Sequence, residues 1–219
     1  MGRYNFDKIV DRKHTKSLKY DFAVQRGKPA DVLPFWVADM DFEIPSELKQ
    51  VLLDRVNHGV FGYTESDDAY FNVLKEWFGS RFNWNIDKKW LVKTPGVVFA
   101  LAMAVRAFTK EGEGVLINQP VYYPFSMVID DNDRNLINVP LIQGADTYTI
   151  DFEGVERAIV EHNVTLFLLC NPHNPVGRVW TEDELKRLGD ICIKHNVIII
   201  SDEIHADFVW DGHKHTVFA

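Results

Sequence analysis

The chain has 219 residues, of which 46% are hydrophobic and 13% aromatic, and this is enough to build the core of a globular protein. Its formal net charge of -8 argues against nucleic acid or an anionic membrane as a partner and favours a small molecule. The N-terminus lacks the apolar core of a signal peptide, and no apolar run approaches bilayer length. The two cysteines, Cys170 and Cys192, are interpreted as packing residues of a reducing compartment, so we expect a cytoplasmic protein.

The N-terminal part of the sequence changes character near residue 45. Residues 1–45 contain no long periodic segment and are predicted to form an arm, whereas residues 46–219 are predicted to form part of a larger α/β domain. A helix should begin at residues 45–47 and end at Gly59. A second helix should begin with Ser66 as its N-cap. Its apolar stripe is predicted to lie in the core and consists of Tyr70, Leu74, Trp77 and Phe78.

From residue 90 the chain alternates between short apolar strands and helices, which is typical of a βαβ sheet. Strands are predicted at residues 90–93, 115–117, 135–142, 164–170 and 197–200. One helix between them is predicted to begin at Val97, a further helical stretch lies between residues 124 and 135, and two more helices begin at an Asp151 cap and at a Thr181–Glu184 capping box. The last strand is a run of Val and Ile without polar alternation, which predicts a parallel strand buried on both faces.

Polar residues follow the ends of several predicted strands. Asn174 and Asp202 come after successive strands, and parallel strands joined by helical crossovers point their carboxyl ends the same way, so both can face one pocket. The helix that begins at Val97, after the turn at residues 94–96, would add free amides suited to a phosphate. Tyr122 would add an aromatic face. These groups predict a ligand site at the carboxyl edge of the sheet.

Each of these groups also has a purely structural explanation. Residues 94–96 can be a simple turn, Tyr122 a rim aromatic, Asn174 the cap of a rigid turn, and Asp202 a solvated strand end. Taken together, they favour a site for a planar aromatic cofactor with a phosphate and a ring nitrogen. Pyridoxal phosphate fits, because a carboxylate such as Asp202 can keep its pyridine nitrogen protonated.

Several motifs resemble one known family. Residues 171–177 (Asn-Pro-His-Asn-Pro-Val-Gly) and 201–205 (Ser-Asp-Glu-Ile-His) are similar to motifs of the fold-type I pyridoxal phosphate enzymes in the class I/II aminotransferase family. Residues 36–42, 58–63 and 120–122 narrow the resemblance to the cystathionine β-lyase branch, also called the MalY/PatB group. The resemblance implies the PLP-dependent transferase fold type I, an α/β architecture with a mostly parallel sheet.

The resemblance also implies a role for individual residues. Asp202 would pair with the pyridine nitrogen, Asn174 would bond the ring oxygen, Tyr122 would stack on the ring, and the amides of Val97 and Val98 would bind the phosphate. Tyr63 would reach the phosphate of a neighbouring subunit, which implies a homodimer with sites at the interface. His205 would stand where many relatives have a tyrosine near the ring oxygen, although adjacent carboxylates could equally satisfy it.

The implied activity is β-elimination from cystathionine or cysteine S-conjugates to give pyruvate, ammonia and a thiol, with amino transfer as the alternative. In the family the Schiff-base lysine lies in a Ser-Lys context beyond the position of Ala219, and Lys214 lacks that context. The arginine that holds the substrate carboxylate belongs to a C-terminal small domain that is also absent. We therefore expect these 219 residues to lack turnover by themselves.

Two other classes of protein remain open. The first is a metal hydrolase, because six potential ligands lie close together in the sequence: Asp202, Glu203, His205, Asp207, His213 and His215. The chain has no H-E-x-x-H motif, which weakens that hypothesis. The second is a non-catalytic binding module, which the missing lysine would support.

Overall fold

The computed structural model describes residues 4–219 and divides the chain into two compact units. The first unit ends at Glu65, and the second runs from Ser66 to Ala219. The sequence predicts a different boundary, between an arm and a large domain at residue 45. That separation concerns the organisation of the complete protein and stays a prediction.

The first unit contains one short 3-10 helix, Val24–Arg26, and one α-helix, α1, at Ser46–His58 among its described residues. Helix α1 ends as predicted at Gly59, which has a φ of 75° and donates its backbone N–H to the carbonyl of Val56. Glycine suits this position because the left-handed conformation strains other residues. None of the residues of α1 is buried.

An ion network connects two segments of the first unit. The guanidinium of Arg12 contacts Asp39 and donates to Asp41 Oδ1 at 2.7 Å. Lys19 Nζ donates to Asp41 Oδ2 at 2.8 Å and to the carbonyl of Asp39 at 3.1 Å. These charged contacts hold residues 39–41 against residues 12–19.

The second unit alternates helices and strands. Its α-helices are α2 (Asp68–Phe82), α3 (Val97–Phe108), α4 (Pro124–Asp130), α5 (Phe152–His162) and α6 (Glu182–Lys194). Its strands are β1 (Gly114–Ile117), β2 (Asn135–Asn138), β3 (Ile142–Gln143), β4 (Tyr148–Thr149), β5 (Leu166–Cys170) and β6 (Ile198–Asp202). The four longer strands form one parallel sheet in the order β2-β1-β5-β6, and β3 and β4 form an antiparallel pair.

Helices cover both faces of the parallel sheet, because alternate residues of each strand point to opposite sides. On one face, Leu166 and Leu168 of β5 pack in a core cluster with Leu101 and Val105 of α3. On the other face, Phe167 packs in a second cluster with residues of α5 and α6. Every residue of β1 and β5 is buried, so these two strands form the centre of the unit.

Much of the predicted element pattern is confirmed. Helix α3 and strands β1, β5 and β6 lie where the sequence predicted them, within about two residues at each end. The Asp151 side chain caps α5 by accepting from the backbone N–H of Gly154. The predicted capping box of α6 is present in full, with Thr181 and Glu184 each bonding the other's backbone. The helical stretch predicted between residues 124 and 135 is α4, which begins at Pro124.

Three predicted elements are wrong in detail. Residues 90–93 are not a strand: a 3-10 helix at Lys88–Trp90 leads into an extended segment that joins no ladder among the described residues. Asp67, rather than Ser66, caps α2 by accepting from the N–H of Tyr70. The strand predicted at 135–142 is β2 only as far as Asn138; Val139 and Leu141 still donate to the carbonyls of Ile117 and Gln119, and Ile142 already belongs to the separate strand β3.

Two burial predictions are also wrong. The apolar stripe of α2 is not core, because none of its residues is buried and Tyr70 and Trp77 are exposed. Helical periodicity shows which side chains share a face but not whether a partner covers that face. Strand β6 is buried only at Asp202, since it is the edge strand of the described sheet and has one strand neighbour, β5.

Candidate active site

The carboxyl ends of β1 and β5 form a crevice at the point where the strand order reverses. Only Val115–Leu116 pairs with Leu166–Phe167, so the described ladder between these strands stops before either strand ends. The loops after β1, β5 and β6 all start at this edge. Helix α3 connects to β1 through a short turn and runs back along it, which places its N-terminus at the same edge. In open α/β sheets, ligands bind in a crevice of this kind.

Asp202 is a buried carboxylate at the end of β6. It lies in register beside Cys170 and, by strand alternation, points to the same face as Ile200, which packs against the core cluster of α3. The backbone N–H of Ile204 donates to its Oδ1 at 3.1 Å. Burial raises the pKa of Asp202, while that hydrogen bond and the nearby His205 act in the opposite direction. A cationic or N–H donor group would therefore stabilise this carboxylate strongly.

Asn174 lies in the loop that follows β5 and is half-buried. Its backbone N–H donates to Cys170 Sγ at 3.4 Å. The loop closes as a tight turn, since the N–H of Gly177 donates to the carbonyl of His173 at 2.9 Å and Gly177 has a φ of 70°. Asn174 is thus presented on a fixed loop whose first residues are buried.

Tyr122 and the start of α3 contribute the other predicted groups. Tyr122 lies in the loop after β1, is 38% exposed, and its ring meets that of Tyr123 edge-on with centroids 5.3 Å apart. Val97 and Val98 are the first two residues of α3, and Gly96 provides its N-cap. Glycine cannot cap these amides with a side chain, so their N–H groups suit an anion.

The remaining predicted residues are His205, Tyr63 and Lys214. His205 is half-buried in the turn at residues 204–207, and its ring faces Phe208 with centroids 6.3 Å apart. Tyr63 belongs to the first unit and its side chain is fully exposed. Lys214 is exposed. The structure thus brings Asp202, Asn174, Tyr122 and the start of α3 to one edge, and Tyr63 belongs to the other unit.

Glu203 has a role that the sequence analysis missed. Its carboxylate accepts from Ser201 Oγ at 2.8 Å, from His215 Nε2 at 3.0 Å and from the backbone N–H of Phe218 at 2.9 Å. Burial raises the pKa of Glu203, but these hydrogen bonds outweigh it and leave the pKa below its ordinary value. Glu203 therefore fastens the C-terminal segment to the end of β6. In the sequence, only the position of Glu203 next to Asp202 pointed to a role for it at this edge.

Asn171 and His173 are two further buried residues of the same edge. Asn171 donates from Nδ2 to the carbonyl of Thr216 at 3.0 Å, and His173 contacts the carbonyl of Pro120 through Nε2 at 3.0 Å. Both lie in the motif at 171–177, where the sequence analysis assigned a role to Asn174 alone. The only sequence signal was that Asn171 directly precedes Pro172 and that His173 lies between Pro172 and Pro175.

The residues of the metal hypothesis do not converge on a point. Among residues 4–219, the structure contains no group of three or more His, Cys, Asp or Glu side chains able to hold a metal ion. His215, one of the six potential ligands, is instead bonded to Glu203. Within the same described range, no helix is both long and apolar enough to cross a membrane.

A parallel sheet with helices on both faces and polar loops at its carboxyl edge is typical of α/β domains that bind ligands at that edge. More specifically, the chain belongs to the aminotransferase class I and II family, whose sequence model matches residues 30–218. The family resemblance inferred from the motifs is thereby confirmed.

The chain is similar to several known proteins. It is 44% identical to cystathionine beta-lyase PatB of Bacillus subtilis over 98% of the chain and 56% of that protein. It is 37% identical to protein MalY of Escherichia coli over 97% of the chain and 55% of that protein. The crystal structure of cystalysin from Treponema denticola, which contains pyridoxal 5'-phosphate, superposes with a TM-score of 0.91 at 42% identity, covering 98% of the chain and 55% of cystalysin. The chain spans about half the length of these relatives.

Proposed function

We propose that the complete protein is a pyridoxal-phosphate-dependent carbon–sulfur β-lyase. Its substrates are cystathionine or cysteine S-conjugates, and its products are pyruvate, ammonia and a thiol. The similarity to a cystathionine beta-lyase over 98% of the chain supports this class of reaction. The observation that carries the proposal is the buried carboxylate of Asp202 at the sheet edge where the start of α3 also lies.

The donor set of this edge fits pyridoxal phosphate. Asp202 is a buried carboxylate whose raised pKa reflects its loss of solvation, so the N–H of a protonated pyridine would supply the missing donor. The amides of Val97 and Val98 at the start of α3 are suited to the phosphate. Asn174 can donate to the ring oxygen, and Tyr122 offers an aromatic face for the ring.

The bound cofactor would supply an electron sink for the α-carbon of an amino acid. Asp202 would hold a proton on the ring nitrogen, because a charged carboxylate in a buried site strongly favours a neighbouring cation. Asn174 and Tyr122 would fix the orientation of the ring, and His205 would lie near the ring oxygen. The family resemblance implies that a lysine of the complete protein moves the α-proton.

The proposal includes a homodimer in which Tyr63 reaches the phosphate of a neighbouring subunit. The full exposure of Tyr63 leaves its hydroxyl available for such a contact. A cytoplasmic location is also proposed. The two cysteines support it, since both thiols are buried and free, and burial raises the pKa of each to about 12.

The test uses the complete protein, loaded with pyridoxal phosphate, and its Asp202→Asn variant. The wild-type protein should release pyruvate from cystathionine, and the variant should lose at least about a hundredfold in kcat/KM, the scale typical of removing one electrostatic contact at a reacting group. Asp207→Asn is the matched control, because Asp207 is an exposed carboxylate in the next turn and should change little. Wild-type rates in Asp202→Asn would refute the assignment of Asp202.

Amino transfer is the second candidate function, because the family model that matches the chain is that of aminotransferases. The same purified protein can be assayed with an amino acid donor and an oxo acid acceptor. We expect pyruvate release to dominate. A faster appearance of the transferred amino group would assign the protein to the aminotransferases.

A further inference from the structure

The loops after β1 and β5 meet through a buried histidine. His173 is 3% exposed, and its Nε2 lies 3.0 Å from the carbonyl oxygen of Pro120. Pro120 is two residues before Tyr122, and His173 is immediately before Asn174. This contact therefore joins the two loops that carry the proposed ring-binding residues.

The contact lies where the backbone ladder is missing. Strands β1 and β5 pair only through Val115–Leu116 and Leu166–Phe167, so their carboxyl ends are not joined by ladder hydrogen bonds among the described residues. Beyond the ladder, His173 bridges the gap with its side chain. Without this bridge, the loop after β1 would keep its contacts to the β2 side, where the N–H of Leu141 donates to the carbonyl of Gln119 at 2.8 Å.

Both the backbone and the ring of His173 are fixed. Its N–H donates to the carbonyl of Arg178 at 2.7 Å, and its carbonyl accepts from Gly177. The imidazole meets Trp180 edge-on with centroids 5.4 Å apart, and the indole N–H of Trp180 donates to the carbonyl of Cys170 at 2.9 Å. The ring thus has a rigid support on the β5 side.

The hydrogen-bond partners define the tautomer of His173. A carbonyl oxygen only accepts, so Nε2 must carry a proton to bond Pro120. The Nδ1 atom is buried and has no hydrogen-bond partner within residues 4–219. Burial lowers the pKa of His173, which favours the neutral ring with a single proton.

We propose that His173 is a positioning residue whose Nε2–H bond to Pro120 sets the separation between the Tyr122 loop and the Asn174 loop across the crevice. The link of this role to the cofactor rests on the proposed function. The geometry of the loops themselves does not depend on it. Loss of the bond frees the loop after β1 from the β5 side while its contacts to the β2 side remain, so that Tyr122 no longer holds a fixed place opposite Asn174.

The first experiment is independent of the cofactor and uses the complete protein in its apo form. Imidazole ¹⁵N NMR should show His173 as the neutral Nε2–H tautomer at neutral pH. Amide hydrogen exchange of peptides covering residues 117–125 should be about tenfold faster in His173→Phe than in the wild type, as expected for the loss of one hydrogen bond. His173→Gln should stay close to the wild type, because its side-chain amide can reach Pro120. A Nδ1–H tautomer, or equal exchange in Phe and Gln variants, would overturn the inference.

The second experiment measures cofactor geometry in the loaded protein. His173→Phe should weaken pyridoxal phosphate binding about tenfold and reduce the visible circular dichroism of the bound ring, whereas His173→Gln should preserve both. If His173→Phe does not fold, His173→Asn replaces it, since the shorter amide cannot span to Pro120. A wild-type protein that binds no cofactor would refute the proposed function, and the tautomer and exchange results would still decide the role of His173. If the visible circular dichroism is unchanged in His173→Phe, which lacks the Nε2–H donor, the positioning role is refuted.

Discussion

Different forces stabilise the two units of the chain. Residues 66–219 enclose two apolar clusters on opposite faces of a parallel sheet, and β1 and β5 are buried along their whole length. Among the described residues up to Glu65, the buried set contains a single polar residue, Ser17, and no hydrophobic side chain. In this first unit the main contacts are ion pairs around Arg12 and Asp41. A substitution should therefore have very different consequences in the two units.

The largest difference is expected for aromatic side chains. Phe167→Ala removes a fully buried ring from the centre of β5 and should lower the free energy of unfolding by about 3–5 kcal/mol. Phe35→Ala in the first unit removes a ring that is 95% exposed and should change it by less than about 0.5 kcal/mol. Denaturant unfolding of both variants checks this. Similar losses would show that the first unit has an apolar core as well.

Glycine substitutions should also cost more stability in the second unit than in the first, but the difference should be smaller than for the aromatic side chains. A Cβ at Gly114 would lie 3.1 Å from Ile137 Cγ1 and 3.3 Å from the carbonyl oxygen of His162, so Gly114→Ala overpacks the start of β1 and should cost about 1–3 kcal/mol. Gly62→Ala is the matched control, because no atom of the described residues lies within 4 Å of the place that its methyl group would occupy. Thermal unfolding should show a lower midpoint for the first variant alone. Equal midpoints would mean that β1 relaxes to admit the methyl group.

Helix caps give the next comparison. Thr181→Ala removes the side chain that accepts from the N–H of Glu184 at the start of α6 and should cost about 1 kcal/mol. Ser46→Ala at the start of α1 should cost little, since α1 has no side-chain cap and the Ser46 hydroxyl contacts only the neighbouring Glu47 among the bonds described for it. Urea unfolding of the pair measures both changes. A larger loss from Ser46→Ala would reverse the comparison.

The smallest effect on global stability, but a clear local one, is expected from the acidic residues. Hydrogen bonds from Lys19 and then Arg12 hold the pKa of Asp41 at about 2, whereas burial raises the pKa of Asp202. Because the folded pKa of Asp41 is depressed, its stabilising contribution is present above the unfolded value of about 3.9 and is lost as the pH falls through about 2.

Carboxyl NMR titration measures this difference directly. Lys19→Met should move the pKa of Asp41 upward toward its ordinary value and leave Asp202 unchanged, because the largest cause of the depression is the bond from Lys19. Lys28→Met is the control, because it also removes one positive charge and Lys28 lies outside the ion network. An Asp41 that titrates at the same pH in the Lys19→Met variant would show that its pKa has another cause.

The sequence predicted the centre of the second unit well and its margins less well. Apolar runs such as residues 164–170 identify buried strands because their partners also lie in the chain. The stripe of α2 and the strand β6 have the same kind of pattern, but the described residues leave α2 exposed and β6 with one strand neighbour. Residue patterns indicate what a surface can bury, and only the fold shows what covers it.

The candidate site was predictable for a related reason. Asp202 and Asn174 follow strands whose direction is determined by parallel topology, so their common edge could be derived from the order of elements. The roles of Glu203 and His173 could not, because both depend on contacts with residues distant in sequence. Phe218 and His215 reach Glu203, and Pro120 reaches His173, only after the chain has folded.

The short ladder between β1 and β5 has a consequence for how the sheet assembles. Strands β1 and β2 lie near each other in the sequence and pair over four residues, and β5 and β6 pair over five, whereas the central seam joins only two. Contacts close in sequence form early because little chain entropy is lost in closing them. We therefore expect the two outer strand pairs to form before the central seam, which joins β1 to β5 at the crevice.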